Sequence, residues 1–214
     1  MRNKMLVLSA ILILFQGFIF PETITFQADS MNGISGGEKE HTTLSGNASV
    51  VTESMEISAD TIELSGKDFR FIKATGQVSG LNKDSKLEFT CGTMNYDRTT
   101  KIATLQDTVH LIDIENDVTA DAQIIEYNQE TEIAVMQINV KLLQKDNVCT
   151  SAYAVYQKKT QLLNMEGNPK IVQGSDTFRA QEILLNLDTQ EIQLDGRVKG
   201  SVTTKEENSN SEEH

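Results

Sequence analysis

A column occupied mostly by glycine returns about every thirty positions along this chain: Gly46, Gly76, Asp107, Ile138, Gly167 and Gly196, spaced 30, 31, 31, 29 and 29 apart. Each stands at the centre of a short alternating segment, such as Leu44, Ala48 and Val50 around Gly46, or Leu105, Val109 and Leu111 around Asp107. A second column, Ala28-Asp29, Ala59-Asp60, Cys91-Gly92, Ala120-Asp121, Thr150-Ser151 and Ala180-Gln181, recurs with spacings of 31, 32, 29, 30 and 30. Two columns with one period define a repeat, and a repeat of this length predicts a stack of similar units, none of which buries its own apolar face.

Side-chain parity gives the geometry of the unit, because successive residues of a strand point to opposite faces. Before the second column the apolar residues keep one phase: Met55, Ile57 and Ala59; Phe89 and Cys91; Val118 and Ala120; Phe178 and Ala180. After it the phase reverses to Ile62 and Leu64; Met94 and Tyr96; Ile125 and Tyr127; Ile183, Leu185 and Leu187. A reversal at one place in the unit predicts a bulge or corner at the second column, where the chain bends and passes from one sheet to another. Polar turns follow at Ser65–Asp68, Asp97–Thr100, Asn128–Thr131, Gln157–Thr160 and Asp188–Gln190. The expectation is an all-β, antiparallel chain of about 12–17 strands.

Composition narrows the class. Of 214 residues 38% are hydrophobic but only 6% aromatic, with no Trp, so the interior is aliphatic. The net charge of −12 argues against nucleic acid, whose recognition needs clustered Lys and Arg. Arg2 and Lys4 precede an apolar run from Met5 to Phe20, the layout of an export signal, expected over residues 1–22. Its retention as a membrane anchor is the other reading. The acidic segment 206–214 has no apolar residue to bury and is expected to be a disordered tail after a domain over 23–205. Export would permit a disulfide, but the repeat sets Cys91 and Cys149 on opposite parities and at least about 9.5 Å apart at roughly 4.7–4.9 Å per strand. That exceeds the reach of a disulfide, so two free thiols are expected.

No catalytic, metal or cofactor site is expected. Gly33-Ile34-Ser35-Gly36-Gly37 fits the nucleophile-elbow pattern, yet no helix follows it, and a flexible loop is the simpler reading. His41, His110 and His214 share no ligand spacing. Asp113, Glu115 and Asp117 lack the glycine of a calcium loop and read as a solvated turn. The remaining candidate is the inward apolar face, read from parity as Ile57, Ile62, Leu64, Phe89, Met94, Tyr96, Leu111, Val118, Ile125, Tyr127, Val140, Phe178 and Leu185.

The segment Leu44 to Leu64, in which Gly46-Asn47 leads to Ala59-Asp60, resembles the signature of the LptA (OstA-like) family of lipopolysaccharide transport proteins. Gly167-Asn168-Pro169 is similar to a variant of the same strand, and Ala120-Asp121 with Ile125 and Tyr127 to another corner. The resemblance covers roughly residues 26–205, and it departs from the pattern at Cys91-Gly92, Thr150-Ser151, Asp107 and Ile138. It implies a repetitive antiparallel β-jellyroll, an open twisted two-sheet groove, that shields the acyl chains of lipopolysaccharide or a related envelope glycolipid. It further implies a non-enzymatic periplasmic bridge in outer-membrane biogenesis. That bridge would join an LptC-like inner-membrane protein to an LptD-like outer-membrane protein, with end-to-end self-association by strand addition and no cofactor. Two other readings stand beside it: an exported structural or adhesive β-solenoid with a filled core, and an anchored LptC-like member.

Overall fold

The computed structural model describes residues 23–34 and 41–203. The expected export segment at 1–22, the acidic tail at 206–214, and Ser35, Gly36 and Gly37 all lie outside these residues. Gly33 and Ile34, expected in a loop, belong to a strand that pairs with residues 41–42.

Among the described residues there are sixteen strands: β1 (Thr25–Gln27), β2 (Ser30–Ile34), β3 (His41–Val51), β4 (Met55–Ser65), β5 (Phe71–Asn82), β6 (Leu87–Asp97), β7 (Ile102–Asp113) and β8 (Val118–Asn128), followed by β9 (Ile133–Gln144), β10 (Asn147–Gln157), β11 (Leu162–Glu166), β12 (Lys170–Gln173), β13 (Asp176–Arg179), β14 (Glu182–Asn186), β15 (Ile192–Asp195) and β16 (Lys199–Ser201). They form one antiparallel sheet that does not close on itself. Strands β3 to β10 are whole rungs. The pairs β1/β2, β11/β12, β13/β14 and β15/β16 are rungs broken at the bend, one half pairing in each part of the sheet. The turns are made by the residues that open them: Asp97, Asp113, Asn128 and Asn186 each accept backbone N–H bonds from the residues two and three positions on.

Every whole rung is bent at its middle, where the pairing slips register, as between Ser45/Ala48, Ser58/Thr61, Thr90/Thr93 and Asp121/Ile124. The bend therefore involves both repeat columns, not the second alone. The first column supplies a pair of left-handed residues on alternate rungs, Gly46-Asn47, Gly76-Gln77, Asp107-Thr108 and Ile138-Asn139. The second supplies a residue left out of the ladder opposite them, Asp60 facing Gly46-Asn47 and Gly92 facing Gly76-Gln77. Two members of the second column are corrected. On β8 the displaced residue opposite Asp107 and Thr108 is Gln123, two beyond Asp121. On β10 it is Ala152, one beyond Ser151. Strand β8 buries Val118, Ala120 and Ala122 before its bend, as β4 buries Met55, Ile57 and Ala59, so an Ala-Asp pair there lies short of the corner.

The bend folds the sheet over on itself. In a flat sheet, the turn before β8 and the turn after β10 would sit at opposite ends of an eleven-residue rung, roughly 35 Å apart at about 3.4 Å per residue. Lys158 Nζ of one turn instead lies 3.0 Å from Asp113 Oδ1 of the other. The two halves are thus facing leaves. One contains β2, β11, β14 and β15, the other β1, β12, β13 and β16, and β3 to β10 cross from leaf to leaf. Between them lies the core, with Leu44, Ile62, Leu64, Ile72, Met94, Ile125, Met136, Leu142, Leu163 and Met165 almost wholly screened from solvent. Each such aliphatic side chain contributes about 1.5–3 kcal/mol relative to an exposed one.

Cys91 and Cys149 are free and both buried on this inner side. The opposite parity expected for Cys149 is overturned by the same one-residue displacement of the β10 corner. The two lie on β6 and β10, four strand spacings or roughly 19 Å apart along the sheet.

Candidate binding cleft

The interior between the leaves is a cleft with a floor, two walls and a mouth. The floor is the line of bends. The walls are the two inner faces, and the mouth is where the hairpin turns of the leaves approach as lips. The sequence candidates divide between the walls. Ile62, Leu64, Met94, Tyr96, Ile125, Tyr127 and Leu185 line one; Ile57, Phe89, Leu111, Val118, Val140 and Phe178 line the other, with all but the half-buried Phe178 at 7% exposure or less. Not among the candidates are the equally buried Leu44, Leu105, Met136 and Met165, each two positions before a first-column residue. That offset is constant along the chain and is the signal that locates them.

Each lip is laced lengthwise by turn-to-turn backbone bonds, Arg98 N–H to Arg70 O at 2.9 Å, Gln129 N–H to Lys101 O at 3.0 Å and Leu187 N–H to Gln161 O at 2.8 Å on one, Lys83 N–H to Ser54 O at 2.9 Å on the other. Side chains join lip to lip. Lys158 Nζ donates to Asp113 Oδ1 at 3.0 Å and Glu115 Oε2 at 2.6 Å, and Tyr156 Oη donates to Asp113 Oδ2 at 2.9 Å. Asn116 bonds Asp113, Tyr156 Oη and Lys158 O. Asp113 and Lys158 are 1% and 4% exposed, so the acidic turn read as solvated carries a buried ion pair at its first residue. Periodicity could not reveal it, because its partners are 45 residues apart in different turns.

These groups titrate as their surroundings require. Burial works against the Lys158 ammonium, yet the Glu115 and Asp113 carboxylates outweigh it and raise the pKa. The Lys158 hydrogen bond holds Glu115 below the usual carboxylate value. Burial, reinforced by Asp113, pushes the Tyr156 hydroxyl far above its usual value.

Between Tyr96, Lys101 and Gln129 a mouth depression of about 310 Å³ meets an apolar cavity of about 20 Å³ bounded by Phe89, Leu105, Leu111 and Tyr127. Such a cavity has room for little more than one water, so the leaves are closed upon each other. At the ends of the stack apolar side chains are exposed: Phe26, Met31 and Ile34 beside β3, Val198 and Val202 beside β13. Among the described residues no group of His, Cys, Asp and Glu side chains is placed to hold a metal ion, and no helix is long and apolar enough to cross a membrane.

An open sheet of bent rungs enclosing an apolar cleft is a β-jellyroll class of fold, and comparison places it in a family. A family model described as "OstA-like protein" matches residues 22–181, and the chain belongs to that family. Among solved structures, the chain is similar to LptH, the LptA homologous periplasmic component of the lipopolysaccharide transport device of Pseudomonas aeruginosa. It shares 16% identity with that protein at a TM-score of 0.31, over 85% of this chain and 96% of that one. No curated protein matches.

Proposed function

We propose that this protein is a non-enzymatic periplasmic carrier in lipopolysaccharide transport, its cleft shielding the acyl chains of lipopolysaccharide or a related envelope glycolipid. The observation that carries the reading is an apolar interior that runs from one sheet edge to the other, both edges being unpaired among the described residues. A conduit needs such an interior, whereas an enzyme needs converging polar groups. Moving an acyl chain from bilayer to cleft exchanges one apolar surface for another, at about 0.8 kcal/mol per CH₂ relative to water in each. Transfer is then near neutral, and direction comes from outside the protein. The unpaired edges at β1/β2 and β15/β16, with apolar side chains beside them, suit strand addition to an LptC-like and an LptD-like jellyroll, or to further copies of the chain. Residues 1–22 would direct export, 23–205 form the carrier and 206–214 trail from it.

The small cavity supports a second reading: a filled structural or adhesive β-solenoid would also leave a cavity as small as the one of about 20 Å³ behind Gln129. Photo-crosslinking separates the two. An azidophenylalanine at Tyr96 or Tyr127 should label lipopolysaccharide, and one at Glu126, exposed on the outer face, should not. Equal labelling at all three sites, or none at any, rejects the carrier.

A further inference from the structure

The mouth of the cleft is not uniform along its length. At Lys158 the lips are joined by the buried ion pair and its Tyr156 and Asn116 bonds. Next to it Gln144 donates to Leu187 O at 3.1 Å and accepts from Gln190 Nε2 at 3.3 Å, while Asn147 donates to Gln190 Oε1. Toward the β3 end the crossing is of another kind. Gln129 Nε2 reaches Asp84 Oδ2 at 3.3 Å in an exposed, water-accessible bond, and its Oε1 accepts from Tyr96 Oη at 3.0 Å. A buried charged pair holds in place because parting it strands a charge, whereas an exposed amide bond exchanges freely with water.

At that same place the depression outside and the apolar cavity inside share Tyr96, Lys101 and Gln129. Tyr127 lines the cavity beneath, its hydroxyl sealed from solvent and, apart from a marginal contact with the Ser85 hydroxyl, without a hydrogen bond. A buried hydroxyl without a bond is costly, and it offers a donor to a ligand carbonyl. The exposed Lys101 lines both the depression and the cavity, and Arg98, Glu53 and Asp84 are the other charged residues of the rim.

We propose that the cleft has a side port at Gln129, through which one acyl chain of an anionic amphiphile enters laterally, while the stretch from Lys158 to Gln190 stays shut. The chain slides between Phe89, Leu105 and Leu111, the Tyr127 hydroxyl donates to its ester or amide carbonyl, and Lys101 faces the charged head outside. This rests on the carrier reading and adds where loading occurs.

The test staples each stretch covalently in protein whose Cys91 and Cys149 are replaced by Ala. Asp84→Cys with Gln129→Cys closes the port; Gln144→Cys with Gln190→Cys closes the stretch already locked. Each pair is bridged by oxidation or, where that is incomplete, by a short bismaleimide. Binding of a long-chain fatty acid bearing a solvent-sensitive fluorophore is then followed. The port staple should slow uptake at least tenfold, with oxidised samples recovering on reduction, and the second staple should leave it within twofold of the unstapled protein. Equal effects of both staples, no effect of either, or an effect of the second alone overturns the side port. Failure of the unstapled protein to take up the probe at all counts instead against the carrier reading.

Discussion

Asp107 lies over Gly92 where, one repeat earlier, Gly76 lies over Asp60. The members of the corner pair have changed places, so both of these corners hold one side chain and one glycine. A Cβ on Gly92 would come within 2.7 Å of Asp107 Cβ, and a Cβ on Gly76 would press into the Asp60 carboxyl group. Gly46 meets Asp29 and Gly196 meets Gln181 in the same way. This reciprocity explains why two of the departures from the repeat, Cys91-Gly92 and Asp107, occur together in one corner.

Gly92→Asp is therefore expected to destabilise by about 1–3 kcal/mol through overpacking. Asp107→Gly alone should be near neutral, since residue 107 has φ 67° and glycine accepts that conformation. The double variant should regain most of the loss, with a coupling of about 1 kcal/mol or more. Urea unfolding of the four proteins measures it, and additive losses would show that the corner does not couple the two residues.

Ile138 occupies the first-column position with φ 65° and its side chain about half exposed. A β-branched residue is a poor occupant of left-handed backbone, which costs an L-residue about 1–2 kcal/mol. Glycine gives back about 0.5–1 kcal/mol in chain entropy. Ile138→Gly should raise stability by up to about 1 kcal/mol, while Ile138→Ala, which keeps a Cβ, should not. A thermal melt in which both variants lose equally would refute the strain.

The sequence was most legible where geometry repeats. The thirty-residue period, the parity reversal and the inward residues from Ile57 to Leu185 all follow from one chemical unit copied along the chain, so each copy corrects the others. It misled where a local resemblance competed with the register. The pair Ala120-Asp121 imitates the corner pair Ala59-Asp60, but the residue displaced on β8 is Gln123. What no pattern carried was the closure of the mouth. Asp113, Tyr156 and Lys158 sit in turns of different leaves, and only the fold brings them together.

Lys158→Met should cost about 3–5 kcal/mol, because Asp113 remains buried without its cation. Adding Asp113→Leu should recover much of this, leaving the loss of the turn bonds that Asp113 makes to the Glu115 and Asn116 backbone. Hydrogen exchange should show the single variant opening at 114–118 and 158–161 before the rest of the sheet. Uniform loss of protection would mean that the pair supports the whole fold and not the mouth.

Acid should weaken the protein through two depressed carboxyls. Arg70 holds Asp97 far below its usual value through bonds of 2.6 and 2.9 Å, and Lys158 holds Glu115 below its own. A folded-state pKa below the unfolded one contributes stability that is complete above the ordinary carboxylate range, near 3.8 and 4.5 for these groups, and drains as pH falls through the folded values. Lys158 works oppositely. Its raised pKa contributes stability present below about 10.5 that is lost as pH climbs past the folded value. Arg70→Gln should flatten the acid limb and leave the alkaline limb unchanged; a change in the alkaline limb would assign the effect to something other than Asp97.

The two thiols report how the leaves part. Burial pushes Cys91 up to about 11 and Cys149 up to about 12, so at neutral pH very little thiolate exists at either. Native protein should therefore react with a disulfide reagent only through opening, and unfolded protein should react with two equivalents at once. Cys149, at 1% exposure, lies two residues from Asn147 of the locked stretch, whereas Cys91, at 8%, lies at the bend of β6, four strands away from it. If the lock holds, Cys149 reacts last, and Lys158→Met accelerates it far more than Cys91. Identical rates in the native protein would mean that reagent reaches both thiols by global unfolding, and that the two stretches of the mouth open as one.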